Sequence, residues 1–83
     1  MIIFTKHASD KFKELERHKF SISRKDVLDT LREPDLIDKS RLPLLIAQKT
    51  IDSKHVLRVV FKKERDIIKV ITFYPGRIKQ YET

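Results

Sequence analysis

Cysteine is absent from the 83 residues. Without it no disulfide can staple the fold and no thiolate can hold a metal. Glycine occurs once, and one glycine cannot build a loop that cradles phosphates. No apolar run is long enough to cross a bilayer, and the start Met1-Ile2-Ile3-Phe4-Thr5 has neither a basic flank nor a cleavage-type end. A soluble, cytoplasmic protein without membrane contact is therefore expected. No Ser or Thr sits in a nucleophile elbow. The histidines His7, His18 and His55 lack the spacing of metal ligands on one helix, and no carboxylate cluster accompanies them. Neither a metal nor another cofactor is expected. These absences exclude kinases, dehydrogenases, elbow-type hydrolases and zinc deaminases.

The residues present describe one globular domain over 1–83. Hydrophobic residues make up 40% and charged residues 37%, which is neither disordered nor low-complexity composition. A chain this short buries roughly 60% of its unfolded surface, so its core must be compact and well patterned. Nineteen Lys and Arg against twelve Asp and Glu give a net charge of +7. That balance favours a polyanionic partner, either nucleic acid or an acidic protein.

Ile2-Ile3-Phe4 reads as a short strand, and Thr5 as the cap of a helix from about Lys6 to His18. Ala8, Phe12 and Leu15 share one face of that helix. Ser23 and Asp26 form a capping-box variant, and Ile22 and Val27 are spaced as a hydrophobic staple. This second helix buries Val27, Leu28 and Leu31 and stops near Arg32 or Glu33, because Pro34 disfavours helix at the residue before it. After Pro34 the period changes. Leu36-Ile37 suits a short strand and Leu44-Leu45-Ile46-Ala47 another. His55–Phe61 and Ile67–Tyr74 alternate and are rich in β-branched and aromatic residues. A charged loop, Lys63-Glu64-Arg65-Asp66, joins them. The expected fold is α+β in the order β-α-α-β-β-β, with two helices on one face of an antiparallel sheet.

Strict alternation places Leu57, Val59 and Phe61 on the core face and Arg58 on the other. In the last strand Ile68, Val70, Thr72 and Tyr74 share one face, and Ile67, Lys69, Ile71 and Phe73 the other. Lys69 does not belong in so small a core, so it is expected beside Arg58 on the open face. A four-residue loop pairs Lys62 with Ile67 and sets Arg58 opposite Ile71. The basic sheet face and C-terminal end then carry Arg58, Lys69, Phe73, Tyr74, Arg77, Lys79 and Tyr81. Such a set suits metal-free RNA cleavage. Arg or Lys stabilises charge on the phosphoryl oxygens, a base takes the 2′ proton, and aromatic rings stack on splayed bases. From the residues alone, His7 reads first as a capping or surface residue and His18 and His55 as surface or strand-end residues, while Arg58 serves equally as a cross-strand ion-pair partner.

Thr5-Lys6-His7-Ala8, Ile22-Ser23-Arg24-Lys25-Asp26-Val27 and Glu33-Pro34-Asp35, with Leu57-Arg58-Val59-Val60-Phe61 and Val70-Ile71-Thr72-Phe73-Tyr74, resemble a small prokaryotic family of unassigned function. That family opens with a T-x-H-A helix and carries an I-S-x-x-D-V second helix. It in turn resembles BrnT- and RelE-type toxins of toxin–antitoxin pairs. BrnT-like chains end V-I-R-I-I-S…R…R-x-Y-E, and this chain has Ile67-Ile68-Lys69-Val70-Ile71-Thr72, Arg77 and Tyr81-Glu82. The resemblance implies an endoribonuclease acting on messenger RNA, free or on the ribosome, and restrained by a small acidic antitoxin. It implies Arg58, Arg77 and Tyr81 as catalytic positions, with His7 in its T-x-H-A context as the base. RNA contacts then fall to Lys69, Lys79 and Tyr74. The alternative is a non-enzymatic module that binds RNA or a protein through the same face.

Overall fold

A computed structural model describes residues 1–81, so Glu82 lies outside the described residues. The elements are β1 (Ile2–Phe4), α1 (Lys6–Arg17), α2 (Arg24–Arg32), β2 (Leu36–Asp38), β3 (Leu45–Thr50), β4 (His55–Glu64), β5 (Ile67–Arg77) and a short 3₁₀ turn, Ile78–Gln80.

Local chemistry sets the helix ends. Thr5 caps α1, its hydroxyl accepting from the Ala8 N–H at 3.1 Å and donating to the Ile71 carbonyl at 3.0 Å. The helix closes through three bonds, from the His18 and Phe20 N–H groups to the Leu15 carbonyl and from the Lys19 N–H to the Glu16 carbonyl. Between them Lys19 takes a positive φ of 62°, the left-handed residue that ends many helices. Ser23 and Asp26 make both halves of the capping box at the start of α2, and the staple residues Ile22 and Val27 are buried.

The helices cover one face of a five-stranded sheet ordered β1-β5-β4-β3-β2. The antiparallel expectation is corrected here: the sheet is mixed, because β1 pairs with β5 in parallel. The short strand read at Leu36-Ile37 is present as the edge strand Leu36–Asp38, so the order is β-α-α-β-β-β-β and not β-α-α-β-β-β. A three-residue strand feeding straight into α1 cannot turn back on itself. It adds to the far edge of the sheet that the helix crosses. Leu57, Val59, Val70 and Phe73 face the helices and pack with Ala8, Leu15, Ile22 and Val27. A ring chain Phe4–Phe12–Phe73 runs through this core, with centroids 5.9 and 4.6 Å apart. Arg24 of α2 lies 4.6 Å over the Phe4 ring of β1 and 5.6 Å over the Phe12 ring of α1, and so ties the two helices at their edge.

The β4–β5 hairpin departs from strict alternation. Its strands run on to Glu64 and from Ile67, so the loop is only Arg65-Asp66, with Arg65 at φ 55°. Lys62 therefore pairs with Lys69, not Ile67. Val60 pairs with Thr72 but Phe61 with Val70, which leaves Ile71 as a bulge. Thr5 holds the bulged carbonyl. The bulge shifts the face pattern by one residue, so Val70 and Phe73 both enter the core and Tyr74, not Ile71, stands opposite Arg58.

Candidate functional site

The open face of the sheet is organised around Arg58. Although no helix covers this face, Arg58 is only 6% exposed. Its Nε donates to the Tyr74 hydroxyl at 3.0 Å, one terminal nitrogen to Gln48 Oε1, and the other to Asp38 Oδ2 at 2.9 Å. Tyr81 stacks on the guanidinium, 4.2 Å from ring centroid to carbon. The Tyr81 ring also fills the space over Gly76, where any Cβ would collide with it. Desolvation opposes the charge on Arg58, but the bonds to Tyr74 and Asp38 outweigh it and hold its pKa above the ordinary value. Asp38 is pulled down to about 2, first by hydrogen bonding to Ser40 and then by Arg58. A guanidinium bonded on three sides and stacked on the fourth is a structural hub with no free fork for a phosphate.

Of the other expected site residues, Tyr74 and Tyr81 join Arg58 and the rest lie apart from it. Lys69 is on the open face, half-buried, opposite Lys62. Tyr74 and Tyr81 belong to the Arg58 cluster. His7 is exposed in the first turn of α1, in the helix layer on the opposite side of the sheet. Arg77 pairs with His55 at the end of β5, on the helix-facing side, because the bulge has reset the alternation. The structure therefore brings together Arg58, Tyr74 and Tyr81, but it does not bring Arg77 or His7 to them.

Arg77 and Lys79 belong to a second cluster. They line a cleft of about 510 Å³ with Ser53, Lys54, His55 and Ile78. The Ile78 N–H donates to the Lys54 carbonyl at 2.9 Å and folds the 3₁₀ turn onto the β3–β4 loop. Among the described residues, none of Lys54, Arg77 and Lys79 pairs with a carboxylate. His55 lines this cleft and two adjoining ones, in which Phe20 also takes part. The Phe20 ring meets the His55 ring edge-on at 5.1 Å. His55 Nδ1 lies 3.0 Å from both carboxylate oxygens of Asp52. Asp52 in turn accepts from the Lys54 and His55 N–H groups. The Lys54 bond, more than His55, holds its pKa below the usual carboxylate range. No group of metal-ligating side chains occurs among the described residues. Sequence patterns alone did not single out this cluster, yet Asp52-x-x-His55 beside Lys54 was a visible signal, since an Asp three residues before a strand's first His can cap the turn and reach the ring.

The fold and these two clusters define a small α+β domain with a basic, aromatic-flanked cleft at one end of its central hairpin. The chain belongs to the DUF4258 family, described as a domain of unknown function, whose family model matches residues 4–75. No curated protein and no solved structure matches it. No helix among the described residues is long and apolar enough to cross a membrane.

Proposed function

We propose that this chain binds RNA through its phosphate backbone at the Lys54–Arg77–Lys79 cleft, as a RelE/BrnT-like toxin domain whose protein partner is a small acidic antitoxin. The observation that carries this is the gathering of three cations around one cleft, none of them paired with a carboxylate among the described residues. Phe20, beside His55 in the adjoining cleft, offers a ring for a splayed base. An acidic protein laid over the same cations competes with RNA for them. Cleavage of messenger RNA is the activity that the resemblance implies. Arg58, Arg77, Tyr81 and His7 occupy both sides of the sheet, which favours a binding surface over one catalytic centre built from these four.

The test is fluorescence anisotropy with a labelled single-stranded RNA oligomer across a salt series. Each phosphate contact on single-stranded nucleic acid contributes a slope of about −0.7 in log affinity against log salt. The triple variant Lys54→Ala/Arg77→Ala/Lys79→Ala should bind at least about tenfold more weakly and lose about 2 from that slope. A folded triple variant with wild-type affinity, or wild-type affinity indifferent to salt, refutes the reading.

A further inference from the structure

We propose that Asp52 and His55 form a dyad that abstracts the 2′-hydroxyl proton of an RNA docked on the Lys54–Arg77–Lys79 cleft, making the domain a metal-independent ribonuclease. The proposal rests on the RNA-binding reading above and adds the group that acts.

The geometry has the parts such a step needs. Asp52 accepts from two backbone N–H groups of its own turn, from Lys54 at 2.7 Å and His55 at 2.8 Å. Its carboxylate is thereby fixed before it meets the ring. Both oxygens then lie 3.0 Å from Nδ1, so the tautomer with the proton on Nδ1 is favoured and Nε2 keeps its lone pair. Among the described residues Nε2 has no hydrogen-bond partner. The Phe20 edge restrains the ring from a second side. The His55 side chain is 28% exposed, enough to meet a ligand and covered enough to hold one orientation. His55 is also the residue common to three adjoining clefts. Its cross-strand neighbour is Arg77, and opposed residues of an antiparallel pair have side chains within reach of one another. A base and a cation thus flank one position, where a ribose 2′-oxygen and its 3′-phosphate fit together.

The step balances without a metal. His55 Nε2 takes the 2′ proton as O2′ bonds to phosphorus. The P–O5′ bond breaks, and O5′ takes a proton from water. The resulting hydroxide is neutralised by the proton that His55 then releases. The products are a 2′,3′-cyclic phosphate and a 5′-hydroxyl. Arg77, Lys54 and Lys79 hold the phosphoryl oxygens as charge gathers on them. Asp52 is a positioning residue, acting through His55.

The experiment follows labelled RNA incubated with the full chain in chelator, with and without ribosomes, while anisotropy reports binding to the same oligomer. The wild type should cut RNA to cyclic-phosphate ends and leave a 2′-deoxy version bound but uncut. His55→Gln should lose about 10²-fold or more in rate while binding RNA within twofold of wild type. Asp52→Asn keeps an acceptor for the turn and should lower kcat with KM unchanged. If the wild type binds RNA but cuts none under either condition, or cuts the 2′-deoxy version equally, the dyad is wrong and the binding reading stands. Unchanged cleavage by folded His55→Gln overturns the dyad in the same way. If the wild type does not bind RNA, both fall.

Discussion

Replacing Arg58 separates a structural hub from a phosphate ligand. Arg58→Met keeps much of the aliphatic stem and removes every donor. Gln48, itself only 5% exposed, then loses the partner of its Oε1. An orphaned buried acceptor costs about 1–3 kcal/mol. The stack on Tyr81 contributes about 0.5–1 kcal/mol more, a figure suited to a partly exposed ring. The sum is about 1.5–4 kcal/mol. For a domain of this size each kcal/mol moves Tm by about 4–8 °C, so the variant should melt roughly 6–32 °C lower. Its RNA affinity, measured well below that Tm, should stay within twofold of wild type. Arg58→Lys keeps the charge but cannot reach three partners as a planar fork, and it should be destabilised comparably. Thermal denaturation by circular dichroism gives the first quantity and fluorescence anisotropy the second. A change in Tm below about 3 °C would refute the hub. A tenfold loss of affinity in the folded variant would return Arg58 to the RNA-binding surface.

Gly76→Val should displace Tyr81 from Arg58, since any Cβ at Gly76 meets that ring. The overpacking should cost about 1–3 kcal/mol and alter tyrosine fluorescence, whereas an unchanged spectrum and Tm would refute the packing. Asp38, with an ordinary value of 3.8, is held at about 2 in the folded chain. Its stabilising share is therefore complete above about pH 4 and lost as pH falls toward 2. Asp38→Asn should be less stable at neutral pH yet flatter over that window, and equal slopes in acid titrations would refute the linkage.

The sequence made the elements legible because local signals spoke for them. Ser23 and Asp26 announced α2, Pro34 its end, and the period change after Pro34 the sheet. The chirality of the Lys19 terminator was not legible, because lysine gives no hint of a positive φ where glycine or asparagine would. The parallel β1–β5 pairing was hidden for a different reason. It joins residues near the two ends of the chain, and no local pattern encodes such a contact. The bulge at Ile71 was the costliest omission. Ile-Ile-Lys-Val-Ile-Thr-Phe-Tyr reads as unbroken alternation, and only the Thr5 hydroxyl, 66 positions away, marks the carbonyl that leaves the ladder. One inserted residue turned Tyr74 toward Arg58, Phe73 into the core and Arg77 onto the side of His55.

Net charge pointed to a polyanion, but pairing decides where one can bind. Of the cations, Lys6 and Lys25 are engaged by Asp10 and Asp29 one helical turn away, Lys62 by Glu64 and Arg58 by Asp38. Exposed pairs of this kind contribute little to stability, yet each cancels a charge locally. At physiological salt, fields fade over about 8 Å, so scattered cations do not act together. Lys54, Arg77 and Lys79 line one cleft, so a polyanion laid in it meets all three together. Arg58 is the best-placed cation by sequence position and the least available by structure, because Asp38, Gln48, Tyr74 and Tyr81 surround it. The same +7 chain with Arg77 turned to the open face would have a diffuse surface. The bulge at Ile71 concentrates its usable charge beside a histidine.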